Sequence, residues 1–174
     1  FTHMEYQGAA QRVLHCDVTS LYPSLMLVYN YLPQTDELGV FAGLLSDLRG
    51  FRIKAKELAR GAPDEESRVY FNALQSTFKI LINSFYGYLG FQLGHFNDFA
   101  AANQVTAKGR ELIQSAIAWL KDNQAKIIEV DTDGIYFMPS ESVQTEADEE
   151  RLIADLATIL PEGIELELDG RYPA

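Results

Sequence analysis

Polar and apolar residues alternate over 12–18 (Arg-Val-Leu-His-Cys-Asp-Val), the two-residue period of a strand with one buried face, and Asp17 closes it. After a turn, 20–30 reads as a helix with Pro23 in its first turn. The period then lengthens. Leu44, Leu48, Phe51, Ala55 and Leu58 recur at helical spacing and predict one buried stripe. Gly61, Pro63 and Asp64 supply a helix stop and a new N-cap, and Glu65 and Glu66 suit the first turn that follows. In that second helix Tyr70, Leu74, Phe78, Leu81 and Phe85 predict the facing stripe. A loop over 87–94 leads to a third helix, about 98–122, with Val105, Leu112, Ala116 and Leu120 inside. A strand–turn–strand over 127–137, an acidic helix over 145–160 and a strand over 164–168 complete the series. Strands separated by helices, with an adjacent hairpin, predict an α+β fold: an antiparallel sheet backed by helices and interrupted by an antiparallel helical hairpin.

At 174 residues the chain is long enough to bury a core of its own. No apolar stretch reaches the 18 or so residues of a membrane span, and nothing at the start reads as a signal peptide. Cys16 is the one cysteine, which excludes an intrachain disulfide and favours a reducing cytoplasm. His3, His15 and His95 have no ligand spacing with it, which argues against zinc. The net charge of −11 argues globally against a nucleic-acid binder. The excess is local, however: 139–170 holds ten acids and one base, which reads as a solvated outer face. The remaining chain, with 15 acids and 13 bases, is close to balanced and leaves a polyanion partner open.

Asp131 and Asp133, one residue apart in an extended setting, point to the same side. Taken alone, the pair reads better as a solvated Asp-Gly hairpin turn. Asp17, at the end of the first strand, supplies a third carboxylate, and three clustered acids ask for divalent cations with oxygen ligands. On the first long helix Arg49, Arg52, Lys56 and Arg60 share a face; on the second, Lys79, Asn83 and Tyr86 do. For either helix alone a solvated basic face explains the spacing. Brought together, Arg52, Lys56 and Lys79 form a three-cation cluster suited to a polyphosphate. Cations beside a carboxylate–metal centre describe a nucleoside triphosphate pocket.

Three ordered segments resemble the motifs of family B DNA polymerases: Asp17-Val18-Thr19-Ser20-Leu21-Tyr22-Pro23-Ser24 the first, Lys79-Ile80-Leu81-Ile82-Asn83-Ser84-Phe85-Tyr86-Gly87 the fingers motif, and Asp131-Thr132-Asp133 the third. Thr106 to Ile113 and Ile164 to Tyr172 also resemble the family's palm. The resemblance implies a palm over 1–41 and 88–174 with fingers over 42–87. It implies DNA-directed DNA polymerase activity, a dNTP added to a primer 3′-hydroxyl with release of pyrophosphate. Two Mg²⁺ ions, with Mn²⁺ as substitute, would be held by Asp17, Asp133 and the Val18 backbone, and Asp131 would complete the catalytic acids. Ser20, Leu21 and Tyr22 would lie along the nucleotide, Tyr22 excluding a 2′-hydroxyl. Arg52, Lys56, Lys79 and Asn83 would bind the nucleotide, while Tyr86 and Gly87 would meet template and nascent base pair. The implied partners are primer–template DNA, dNTP and, through segments outside this chain, a sliding clamp or accessory subunits. No membrane is involved, and a cytoplasmic, nucleoid-associated setting is implied. A nuclease domain is expected upstream and a thumb downstream, so the piece alone is expected to be poorly active or inactive. The alternative is a non-catalytic relative serving as a DNA-binding or structural subunit. Gly134 stands where many members have Ser, with little effect expected, since Gly suits the turn.

Overall fold

The computed structural model describes residues 3–6 and 8–172. Phe1 and Thr2, and Gln7 of the segment ahead of the first long strand, lie outside the described residues. The order of elements is β1 (His3–Met4), β2 (Val13–Val18), α1 (Leu21–Val28), α2 (Val40–Arg60), α3 (Glu65–Leu89), α4 (Phe99–Asp122), β3 (Lys126–Val130), β4 (Gly134–Met138), α5 (Glu146–Ala157) and β5 (Leu166–Tyr172). The strands make one antiparallel sheet in the order β1-β3-β4-β2-β5, and the fold is α+β as the change of period predicted. The chain divides into two compact units, Phe1–Ser24 with Thr106–Ala174, and Leu25–Val105. The helical unit is longer than the hairpin expected over 42–87.

In the sheet unit, β2 keeps its alternation: Leu14, Cys16 and Val18 are buried, while Val13, His15 and Asp17 are half-buried on the other face. Ile127, Val130, Ile135 and Phe137 join them in the core, with Leu112, Ala116 and Leu120 of α4 and Ile153 and Leu156 of α5. Burying such a side chain contributes about 1.5–3 kcal/mol. Burial also pushes the Cys16 thiol up to about 12, so it packs as a small hydrophobe. The third-helix stripe is as predicted.

Two strands differ from expectation. β1, too short to show a period, adds an edge to β3. β5 starts later and runs on through Asp169-Gly170, residues that signal a turn in sequence. A register shift between His15 and Cys16 takes up Asp169 as a bulge, so the ladder continues past it.

The acidic run is not uniformly a solvated face. α5 begins with a capping box, the Asp148 amide donating to Thr145 Oγ1 and the Thr145 amide to Asp148 Oδ2. One residue on, Glu149 is buried at 5% exposure. Arg12 Nη2 donates to its Oε1 (3.0 Å) and Arg171 Nε to its Oε2 (2.7 Å). α5 is thereby tied to β5 and to the residue that enters β2.

α4 ends in a Schellman turn: the Ala125 amide donates to Leu120 O and the Gln124 amide to Lys121 O, both at 2.9 Å, with Gln124 left-handed at φ 62°. Gln124→Gly removes a left-handed cost of about 1–2 kcal/mol and adds about 0.5–1 kcal/mol of chain entropy. A net gain of roughly 0.5–1 kcal/mol is expected in urea unfolding. An unchanged or lower midpoint would contradict it.

In the helical unit, α2 and α3 pack as the expected antiparallel pair, and the punctuation between them is as read: Gly61 caps α2, and Asp64 accepts from the Ser67 amide at 2.7 Å. The stripe on α2 is different. Phe41, Leu45, Arg52, Ala55 and Ala59 are buried, whereas Leu44 and Phe51 are 51% and 54% exposed. Positions 45, 52 and 59 lie about 100° round the helix from 44, 51 and 58, with the predicted Ala55 buried between the two lines. Periodicity alone does not choose between them, and the line containing the small Ala59 is the one that packs. On α3 the fully buried residues are Ile82 and Leu89, with Leu74, Phe78 and Phe85 half-buried and Tyr70 and Leu81 exposed.

Candidate active site

The end of β2 and the β3–β4 turn bring the first and third motifs together in one sheet. Asp17 pairs with Gly134 across the β2–β4 ladder, and the Val18 amide donates to Asp133 O at 2.8 Å. The turn is closed by the Asp131 amide donating to Gly134 O (2.9 Å) and the Thr132 amide to Asp131 Oδ1 (2.6 Å). On its other side Asp17 stands opposite Glu167 of β5, an arrangement of like charges that destabilises a sheet unless a cation intervenes. Asp131 is exposed; Asp17 and Asp133 are half-buried. Three carboxylates from neighbouring strand ends are a hard oxygen donor set of the kind Mg²⁺ takes. The expected gathering of three acids is not found: among the described residues, no three His, Cys, Asp or Glu side chains gather around a single point. One or two carboxylates completed by substrate phosphates is the common Mg²⁺ arrangement, and the donor set fits that.

Further charged neighbours share this part of the sheet. Glu129 pairs with Tyr136, which in turn pairs with His15. The Tyr136 phenol lies above its ordinary value, through burial first and then through Tyr172, Glu129, Asp131 and Asp169. Sequence reasoning did not single out Glu129, His15, Glu167 or Asp169. Two-residue steps back from Asp131 and Asp17 reach the first two; the others depend on the β2–β5 register.

The approach to α1 is tightly built. Ser20 is left-handed at φ 48°, its carbonyl accepts from the Ser24 amide (2.9 Å), and the Thr19 amide donates to Glu165 O (2.9 Å). This geometry turns the chain sharply from strand to helix. Leu21 is buried and Tyr22 half-buried in the first helical turn.

In the helical unit the cations that spacing groups on one face differ in burial. Arg52 is buried, Arg49 and Lys56 are half-buried, and Arg60 is exposed. On α3 Lys79 and Asn83 are exposed and Tyr86 is half-buried. A Cβ at Gly87 would meet nothing within 4 Å, so packing inside the chain does not require glycine there.

The chain spans about a quarter of the length of the curated relatives it matches. It is 30% identical over 95% of its length to the DNA polymerase of Thermococcus sp. (strain 9oN-7), of which it covers 24%. It is 28% identical over 97% of its length to the DNA polymerase of Archaeoglobus fulgidus, again covering 24%. The solved family B DNA polymerase from Pyrobaculum calidifontis shares the fold with a TM-score of 0.72, at 22% identity over 98% of this chain and 27% of that one. The model of DNA polymerase family B matches residues 31–147, taking in the Lys79–Gly87 and Asp131–Asp133 motifs but not the segment at Asp17. The chain belongs to DNA polymerase family B. Among the described residues no helix is long and apolar enough to cross a membrane.

Proposed function

We propose that this chain is the palm and fingers of a template-directed DNA polymerase, and that it takes part in adding a dNTP to a primer 3′-hydroxyl with release of pyrophosphate. The observation that carries the reading is the pairing of Asp17 with Gly134, which sets the first-motif acid beside the turn bearing Asp131 and Asp133. Asp17, Asp133 and the Val18 carbonyl are the groups that hold divalent ions, with Asp131 adding negative charge. The chemistry supplied by bound Mg²⁺, two ions with Mn²⁺ as substitute, is neutralisation of the attacking and leaving oxygens of an in-line phosphoryl transfer. Lys79 and Lys56 bind the triphosphate by charge-assisted hydrogen bonds, and Arg52, buried on α2, contributes by its charge. Asn83, Tyr86 and Gly87 meet the nucleotide and nascent base pair. The backbone of Ser20–Tyr22 lies along the nucleotide, and Tyr22 takes the space a 2′-hydroxyl would need; the sharp turn at Ser20, left-handed at φ 48°, is compatible with that path. The work of the chain is positioning and charge neutralisation.

One observation favours a second reading, a non-catalytic relative that binds DNA: no three acid side chains gather at one point among the described residues. Retention of Asp17, Asp131, Asp133 and Lys79 together favours the first.

Calorimetric titration of dATP into the chain with Mg²⁺ separates the two. Weak binding is expected, reduced about tenfold in Lys79→Ala, the equivalent of one hydrogen bond to a charged group. Asp17→Asn is expected to remove its Mg²⁺ dependence. Binding indifferent to both substitutions would overturn the polymerase reading of these residues. The 174-residue chain alone is expected to extend a primer poorly or not at all.

A further inference from the structure

Gly134 opens β4 directly opposite Asp17 and is buried. Its backbone is not in the left-handed region, so the expectation that it serves the turn is not what requires glycine there. A neighbour requires it instead. A Cβ at this position would stand 2.5 Å from His15 Nε2 and 3.4 Å from Asp17 Oδ1. The first distance is one that Cβ atoms essentially never show.

The imidazole is not free to swing aside. It stacks on Tyr136 with centroids 4.0 Å apart and planes 9° from parallel, and its buried Nδ1 lies 3.2 Å from Asp169 Oδ2 without the alignment of a hydrogen bond, so the stack and the burial are what hold it. The side chain is 12% exposed. The ring is therefore rooted in β2, lies against β4 on one side and reaches the β5 bulge on the other. It stands two residues before Asp17, on the same face of the strand. A side chain at 134 would either drive the ring out of its stack or push the turn away from β2. Both displacements change the separation of Asp17 from Asp131 and Asp133.

We propose that His15 is a positioning residue for Asp17 and the Asp131–Asp133 turn: its ring, stacked on Tyr136 with Nδ1 beside Asp169, bears on Gly134 and sets the distance of that turn from Asp17. Gly134 is its obligate counterpart, the two forming one interlock across β2 and β4. This role rests on the reading of Asp17, Asp131 and Asp133 as ligands of a divalent cation.

The test uses Mn²⁺ alone as probe, with free ion counted by electron paramagnetic resonance on the 174-residue chain and the fold of each variant checked by circular dichroism. In the presence of His15, Gly134→Ala is expected to weaken Mn²⁺ affinity about tenfold, the size of a lost outer-shell support. His15→Ala alone also weakens it. Adding Gly134→Ala to His15→Ala is expected to cost nothing further, because the methyl group enters space the ring has left; such non-additivity marks contacting residues. An equal cost of Gly134→Ala in both backgrounds, or wild-type affinity in His15→Ala, overturns the role. Should Gly134→Ala not fold, His15→Phe decides: it keeps the ring and the stack, and is expected to bind Mn²⁺ more tightly than His15→Ala. Equal affinities of those two variants overturn the role. Asp133→Asn separates the two levels. If it leaves Mn²⁺ affinity unchanged, the ligand reading falls and the positioning role with it. If it abolishes binding while the His15 and Gly134 costs simply add, only the positioning role falls.

Discussion

Glu149→Ala is expected to lower the unfolding free energy by about 3 kcal/mol at neutral pH, measured by urea unfolding. Removing one member of a buried ion pair costs about 3–5 kcal/mol, because the remaining charge is stranded. The low end applies because Arg12 and Arg171 are 39% and 40% exposed and regain water when the carboxylate is lost. The bridge also restrains a strained neighbour: Arg12 sits at φ 57°, and its guanidinium is one of the two held by Glu149. The sign of the pH dependence follows from the carboxyl. Burial pushes it up, but hydrogen bonds and charge from Arg171 and Arg12 prevail and hold it below the ordinary glutamate value of 4.5. A depressed carboxyl stabilises fully above its unfolded value and loses that contribution as pH falls through the folded one. The gap between the unmodified chain and Glu149→Gln is therefore expected to be constant from neutral pH down to about 4.5 and to narrow below it. A loss under about 1 kcal/mol would show that the bridge adds no more to the sheet unit than an exposed pair does.

The same residue marks where sequence stops being informative. Glu149 lies in a run of acids that reads as solvated, and its partners are 137 and 22 residues away. No local pattern distinguishes it from Glu150 beside it. What was legible was local: the two-residue period of β2, the Gly61–Asp64 punctuation, the turn at Asp131–Asp133 and the α4 stripe each depend on neighbours within a few positions. Which line of α2 is buried, and with it Arg52, depends on its packing partner α3, which no local pattern names. The site divides along the same line. The motifs at Asp17 and Asp131–Asp133 can be read in order along the chain, but their adjacency depends on β2 pairing with β4. The reason for glycine at 134 depends on a ring 119 positions earlier in the chain, and turn chemistry gives a plausible but different explanation for it.

In metal-free buffer Asp133→Asn is expected to melt higher than the unmodified chain, and Mg²⁺ is expected to raise the melting temperature of the unmodified chain only. Asp131 and Asp133 share one short turn, and Asp17, which neighbours it, already faces Glu167. Two like charges about 4 Å apart repel by roughly 1 kcal/mol in water and about 4 at an effective dielectric of 20. Half-exposed groups belong near the lower figure, so the amide is expected to relieve on the order of 1 kcal/mol, and less at high salt. For a chain of this size that is a rise of about 2–4 °C. Mg²⁺ acts in the opposite sense. At a hundredfold excess over its dissociation constant it adds about 2.7 kcal/mol to any state that binds it, or about 5–10 °C, and this increment is expected to vanish with the Asp133 carboxylate. Scanning calorimetry with and without Mg²⁺ reads both effects in one pair of proteins. A lower metal-free melting temperature for Asp133→Asn would mean that the carboxylate stabilises the turn by its own contacts rather than straining it. An equal Mg²⁺ increment in both proteins would move the ion away from these acids, and with it the polymerase chemistry assigned to them.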